Sequence, residues 1–252
     1  MADQKMIKDQ HALIITNNST QPLYQNLLGD GSLFGIKVRY AVQEKPNGIA
    51  ESLIIGEEFL DGQSCALVLG DNIFFGQGFS TSLLKAAKTF EHATIFTYTV
   101  KNPTRFGVVQ LDEHENVISI EEKPNQPKSQ LAVTGLYFLD KKAVNFAKSI
   151  SSSKRGELEI TDVLSEYMKQ GRLKAEQLGR GFAWFDTGTS DALLDAAMFV
   201  QTIQRRQGLQ IACLEEIALS HAWITKSKLK QRIMSLGKST YTDYLRELLK
   251  GH

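Results

Sequence analysis

Cys65-Ala66-Leu67-Val68-Leu69-Gly70-Asp71-Asn72 is the stretch that decides the fold, because five apolar residues, too few for a helix, run straight into a carboxylate. Stopped by Gly70, the run predicts a central strand covered on both faces. Ligands of open α/β sheets gather just beyond such strand ends, so Asp71 is placed like a metal ligand. A plain Gly-Asp-Asn turn satisfies the same three residues, and the neighbouring segments must choose between the two readings.

Upstream, Ala12 to Thr16 reads as a short strand and Pro22 to Leu28 as a helix ending in Gly29-Asp30-Gly31. Ile36 to Val42 alternates apolar and polar residues, and Ile49 to Phe59 resumes helical spacing. This β-α-β-α-β progression predicts an α/β fold whose sheet is mixed, mostly parallel, with helices on its faces. Downstream, Ser82 to Phe90 reads as helix and Ala93 to Val100 as strand, while Phe106 to Leu111 and Val117 to Glu121 flank a polar turn and predict a hairpin. Val133 to Leu139 is strand-like and Lys141 to Ile150 helical. The polar loop Ser151 to Gly156 holds one glycine, so a solvated connection is expected there rather than a phosphate cradle. Leu158 to Gln170 then reads as helix, with Leu173 to Leu178 and Phe182 to Phe185 as short strands. Beyond Thr189 the pattern is helical: Leu193, Ala196, Ala197, Val200 and Ile203 recur every three or four positions, and Gly208 suits a cap. Lys226 to Leu236 and Thr240 to Leu249 follow suit. The expected division is an α/β core over 1–188 and a helical C-terminal subdomain over 189–252.

Composition narrows the function. With 252 residues and 42% hydrophobic content the chain can bury a sizeable core. Lys and Arg number 29 against 28 Asp and Glu, a net charge of +1 that gives no field for nucleic acid or an anionic membrane, so a small-molecule ligand is expected. Cys65 and Cys213 have no CxxC partner, which argues against a disulfide framework or structural zinc. The histidines show no i, i+4 pair. No apolar run approaches the ~20 residues that span a bilayer, and Met1 to Lys5 do not lead into a signal-peptide core, so cytoplasmic residence is expected.

Three further segments end strands in polar groups: Gln43-Glu44-Lys45-Pro46-Asn47-Gly48, Glu121-Glu122-Lys123-Pro124 and Trp184-Phe185-Asp186-Thr187-Gly188. Two strand-end carboxylates, Asp71 and Asp186, suit Mg²⁺, which keeps several waters and takes other ligands from substrate phosphate. Glu122 can accept from sugar hydroxyls and Lys123 can donate to a phosphate. The Gln43 amide can face a planar base, with Gly48 permitting close approach. Asp186-Thr187-Gly188 also matches half of an aspartic-protease dyad, but it occurs once and a helical pattern follows it.

In this order and spacing the segments closely resemble the sugar-1-phosphate nucleotidylyltransferases, and within them the glucose-1-phosphate thymidylyltransferases. The likeness is carried by Leu-Leu-Gly-Asp-Gly-Ser at 27–32, Leu-Gly-Asp-Asn-Ile-Phe at 69–74, Arg-Phe-Gly-Val-Val at 105–109 and Glu-Glu-Lys-Pro at 121–124. Ala-Val-Thr-Gly-Leu-Tyr at 132–137, Arg-Gly-Glu-Leu-Glu-Ile-Thr at 155–161 and Trp-Phe-Asp-Thr-Gly at 184–188 extend it. The resemblance implies a Rossmann-like nucleotidyltransferase core and Mg²⁺-dependent transfer of dTMP from dTTP to glucose 1-phosphate. The products would be pyrophosphate and dTDP-glucose, a precursor for dTDP-rhamnose and cell-surface polysaccharide. It further implies that Gln43, Gly48 and Asp71 contact the nucleotide, and that Asp71 and Asp186 hold Mg²⁺. Phe106, Gly107, Glu122, Lys123 and Val133 would line the sugar-phosphate site, and Asp71, Asp186 and Lys123 would act in catalysis. The helical tail would serve a homo-oligomer, a dimer or tetramer.

The departures from that pattern carry expectations of their own. The family opens with a Gly-rich loop containing an Arg, followed by a Lys, and these grip the nucleotide phosphates, whereas Met1 to His11 contain no glycine. The first β-α unit is therefore expected to be missing, leaving weak turnover and an open sheet edge near Ala12 to Thr16. The alternative function is a pseudo-enzyme that binds sugar phosphate or nucleotide sugar. Asn47 and Glu51 stand where relatives commonly carry Asp and Gln, and Phe106 where many carry Tyr.

Overall fold

The computed structural model describes residues 10–88 and 91–250. Expectations for Met1 to Asp9 and for a helix end at Phe90 lie outside them. The chain opens with β1 (His11–Thr16), α1 (Gln21–Leu28) and β2 (Lys37–Val42), and a helical stretch broken at Gly56 follows as α2 (Glu51–Ile55) and α3 (Glu57–Leu60). Next come β3 (Cys65–Val68), β4 (Asn72–Phe75), α4 (Phe79–Ala87), β5 (Ala93–Thr99) and the hairpin of β6 (Gly107–Leu111) and β7 (Val117–Glu122). Then β8 (Leu131–Leu139), α5 (Ala143–Ser149), α6 (Ile160–Lys169), β9 (Leu173–Leu178) and β10 (Ala183–Asp186) lead to the tail. The tail is α7 (Ser190–Gln207), α8 (Leu214–Ser220), α9 (Lys226–Leu236) and α10 (Thr240–Lys250). Strand β4 had no counterpart in the sequence reading.

Two compact units form. One joins the described residues up to Lys45 with those from Met198 onward; the other is Pro46–Ala197. This differs from the division expected at residue 188. The reason is hydrophobic: Phe34, from the opening segment, is buried with Ile224, Leu229, Ile233 and Leu245 of the tail, and Leu28 and Ile36 pack against the same cluster. Gly35 marks how close that packing is, since a Cβ there would stand 2.3 Å from the Trp223 carbonyl oxygen. Within this unit β1 and β2 pair in parallel over six residues. Among the described residues β1 pairs with β2 alone.

The second unit is built on a sheet ordered β7-β6-β8-β5-β9, with β3 also on β8. The nine residues of β8 carry β5 along one edge while β6 and β3 share the other. The expectation of mostly parallel pairing is corrected, because β8 runs against all three neighbours and, among the described residues, only β5–β9 and β1–β2 are parallel. Antiparallel neighbours need no helical crossover, which is how a hairpin enters this sheet. The strand covered on both faces is β5, not β3. Ile95 joins Val109, Tyr137, Leu164 and Tyr167 on one face, while Phe96 joins Leu136 and Leu178 on the other, each large side chain contributing roughly 2–3 kcal/mol of burial. In β3, Val68 is 55% exposed and, among the described residues, the strand pairs only with β8.

Candidate active site

Asp71 closes the three-residue connector between β3 and β4. β4 pairs antiparallel with β10 in a register that sets Asp186 opposite Asn72, which carries the second aspartate to the same place. The Thr187 amide and hydroxyl both donate to the Asp71 carbonyl oxygen, at 2.9 and 2.8 Å. The position a Cβ would take on Gly188 is 3.2 Å from Asp186 Oδ1 and 3.8 Å from Asp71 Oδ2, so these oxygens are at most 3.2 + 3.8 = 7.0 Å apart. Side-chain rotation closes such a gap to the ~4 Å that two ligands of one cation at ~2.1 Å span. Two hard carboxylates fit Mg²⁺, and among the described residues no cluster of three or more His, Cys, Asp or Glu offers a full protein cage.

Asn72 ties this corner together. Its Nδ2 donates to Asp71 Oδ1 at 2.8 Å, and its Oδ1 accepts from Gly135 N at 3.0 Å and Trp184 Nε1 at 2.7 Å. Gly135 makes room for it, since a Cβ there would lie 2.7 Å from the Asn72 carboxamide carbon.

A cavity of ≈ 160 Å³ opens beside the aspartates and is lined by Asp71, Asp186 and Asn72 on one side. Phe106, Gly107, Glu122, Lys123 and Val133 line it as well, so seven of the residues singled out in the sequence converge. Hairpin register explains part of this, because Gly107 pairs with Glu122. A Cβ on Gly107 would stand 2.8 Å from Thr161 Cγ2 and 3.4 Å from Glu122 Oε2. Lys123 turns out of β7 with φ 44°, a left-handed conformation steadied by its N–H on the Phe106 carbonyl at 3.0 Å. The Phe106 ring lies 5.1 Å from Trp184. Gln43 and Gly48 are not among the residues lining this cavity. Gln43 follows β2 with its N–H on the Thr16 carbonyl, and Gly48, at φ +104°, would place a Cβ 2.3 Å from the Leu158 carbonyl oxygen. Close backbone packing is thus an independent reason for glycine at 48.

Glu122, which lines the cavity, is joined to a cluster of charge outside it. Burial, and then Glu159, raises the Glu122 carboxyl above its ordinary value of 4.5, while Thr161, Lys123 and Arg155 oppose that rise. Arg155 Nη2 lies 3.5 Å from Glu122 Oε1 and 2.8 Å from Glu159 Oε1, and Ser153 Oγ donates to the same Glu159 oxygen at 2.7 Å. The loop Ser151 to Gly156 is a solvated connection as expected, five of its six residues being exposed, and its Arg155 also reaches back to pair with Glu122 and Glu159. Asn72, Arg155, Glu159 and Trp184 were not given roles in the sequence. No helical spacing marked Arg155 and Glu159, since one lies in a turn and the other just ahead of α6. A second cavity, ≈ 200 Å³, includes Cys65, His92 and Asp140. Burial, then Asp140, pushes the Cys65 thiol up to about 11, and Asp140 is already engaged by Tyr167 and Arg172. That cavity presents no reactive pair.

Strand-end carboxylates beside a cleft with cationic and hydroxyl-accepting walls, on a Rossmann-like mixed α/β core, define a nucleotidyl transferase. The chain belongs to the nucleotidyl transferase family, whose profile matches residues 4–203. More particularly, it is 54% identical over 237 residues to the glucose-1-phosphate thymidylyltransferase of Neisseria gonorrhoeae, covering 94% of this chain and 82% of that protein. It is 47% identical over 237 residues to the enzyme of the same name from Mycobacterium tuberculosis, with the same two coverages. Among solved structures, a candidate glucose-1-phosphate thymidylyltransferase from Bacillus anthracis, crystallised with sucrose, superposes with a TM-score of 0.66 at 37% identity over 74% of each chain.

Proposed function

We propose that this nucleotidyl transferase moves dTMP from dTTP to glucose 1-phosphate, releasing pyrophosphate and forming dTDP-glucose. The observation that carries the reading is the meeting of Asp71 and Asp186 with Glu122 and Lys123 around one cavity. The names of the relatives support the choice of nucleotide and sugar. Glu122 accepts hydrogen bonds from the hexose, and Lys123, with Arg105 on the same wall, pairs with its phosphate. A phosphate oxygen of the sugar attacks the α-phosphorus in line, the new P–O bond forming as the bond to pyrophosphate breaks. Asp71 and Asp186 would hold Mg²⁺, which supplies charge neutralisation at the phosphates. Asn72 keeps the Asp71 carboxylate aimed, and Trp184 and Phe106 cover the sugar side. Positioning does most of the work, with no covalent intermediate.

Self-association is part of the proposal, supported by exposed Leu23 and Leu27 one turn apart on α1. No described helix is long and apolar enough to cross a membrane. A second reading, a sugar-phosphate binder with little turnover, draws on the cavity lining, whose cations are Arg105 and Lys123, enough for one sugar phosphate. Product analysis of dTTP and glucose 1-phosphate incubated with Mg²⁺ separates the two. Metal-dependent dTDP-glucose, abolished by Asp71→Asn, supports transfer. Binding of glucose 1-phosphate without product supports the binder, and absence of both overturns the site.

A further inference from the structure

We propose that Thr187 is a positioning residue for the cation site, its hydroxyl holding the Asp71 connector at the separation from Asp186 that one divalent cation bridges. This rests on the reading of Asp71 and Asp186 as the ligands. In the connector Leu69-Gly70-Asp71, Leu69 is held by its N–H on the Gly135 carbonyl at 2.8 Å and packs on the core, whereas a Cβ on Gly70 would meet nothing within 4 Å, so packing holds the Gly70-Asp71 end weakly. Asn72 holds the Asp71 carboxylate, and the Asp71 backbone is held from the other side of the site. Thr187 places two donors on one acceptor, its N–H at 2.9 Å and Oγ1 at 2.8 Å from the Asp71 carbonyl oxygen, across 116 positions of sequence. A carbonyl oxygen has two lone pairs, so both bonds form together.

The adjoining residues complete a clasp. Asp186 supplies one carboxylate, Thr187 binds the backbone of the other, and the Gly188 N–H holds Asp186 Oδ1 at 3.2 Å. Only the hydroxyl bond depends on the side chain, which makes its contribution separable. Valine keeps the branched shape and loses the donor; serine keeps the donor and loses a methyl. Groups that orient metal ligands typically alter affinity 10–100-fold when removed, and an effect through the backbone belongs at the lower end.

The test is Mn²⁺ binding by the full 252-residue chain, followed by electron paramagnetic resonance, with thermal melting and metal-free glucose 1-phosphate binding measured alongside. Thr187→Val is expected to weaken Mn²⁺ about tenfold, Thr187→Ser by no more than about twofold, and glucose 1-phosphate binding to stay unchanged in both. Wild-type Mn²⁺ affinity in Thr187→Val, or equal losses in the valine and serine variants, would overturn the positioning role while leaving the cation site intact. Unaltered Mn²⁺ affinity in Asp71→Asn would instead overturn the cation site itself.

Discussion

Asn47 donates its side-chain amide to Glu51 Oε1 at 2.8 Å, joining the turn before α2 to that helix's first residue. The resemblance implies Asp and Gln at these two places, and the contact makes the two departures one exchange in which amide and carboxylate trade positions. Glu51 also puts its charge in the helix's first turn, where the dipole favours it. Asn47→Asp should set two carboxylates against each other and cost about 1 kcal/mol, a fall of roughly 2–4 °C in Tm. Adding Glu51→Gln should restore most of it. Thermal melts of both single variants and the double check this; losses that simply add would contradict the exchange.

Gly135→Ala tests the Asn72 hub. The new methyl would press on the Asn72 carboxamide, which ties Asp71, Gly135 and Trp184 together. Weakening of Mn²⁺ and glucose 1-phosphate binding by about tenfold is expected, with a shift in Trp184 fluorescence. Unchanged fluorescence and unchanged affinities would show that the hub is dispensable.

Glu122 gives a signed pH dependence. Its folded pKa is raised above 4.5 by burial first, so its protonated form favours the fold. That contribution is complete below pH 4.5 and is lost as pH rises through the folded value, leaving an ionised, half-buried carboxylate at neutral pH. Glu122→Gln should therefore melt higher than wild type at pH 7, by roughly 1–3 °C, and the difference should vanish toward pH 4.5. Hexose binding by wild type should decline on acidification at a pH above 4.5, where Glu122 takes its proton. A Glu122→Gln protein that melts lower than wild type at pH 7 would refute this.

Lys123 and Glu122 line one cavity yet carry opposite chemistry, an ammonium that only donates and a carboxylate that accepts. Titration of glucose, galactose and mannose 1-phosphates should find that Glu122→Ala blunts discrimination among them. Lys123→Ala should weaken all three by a similar factor. Equal blunting in both variants would remove the division of roles.

Much of this architecture was legible in the sequence because unbroken apolar runs mark the strands and a three-to-four spacing marks the helical tail. Strand β4 was hidden by its length, four residues directly after a turn, and by a partner, β10, far along the chain. The place of β3 was misjudged because Cys65 to Leu69 looks like a strand covered on both faces, whereas β5 takes that position and Val68 faces outward. Division into units escaped for a related reason: Phe34 has its core partners at the other end of the chain. At the site, seven residues chosen for chemistry line one cavity while Gln43 and Gly48 do not, and Asn72 and Arg155 act through hydrogen bonds and ion pairs that only the folded chain reveals.

The most direct test is a crystal structure of the 252-residue chain with dTDP-glucose and Mn²⁺, the metal located by its anomalous scattering. The expected result is one Mn²⁺ bonded at ~2.1–2.2 Å to carboxylates of both Asp71 and Asp186, with hexose hydroxyls on Glu122 and phosphate against Lys123. A metal bound away from either aspartate, or a hexose outside the cavity between Glu122 and Trp184, would contradict the assignment.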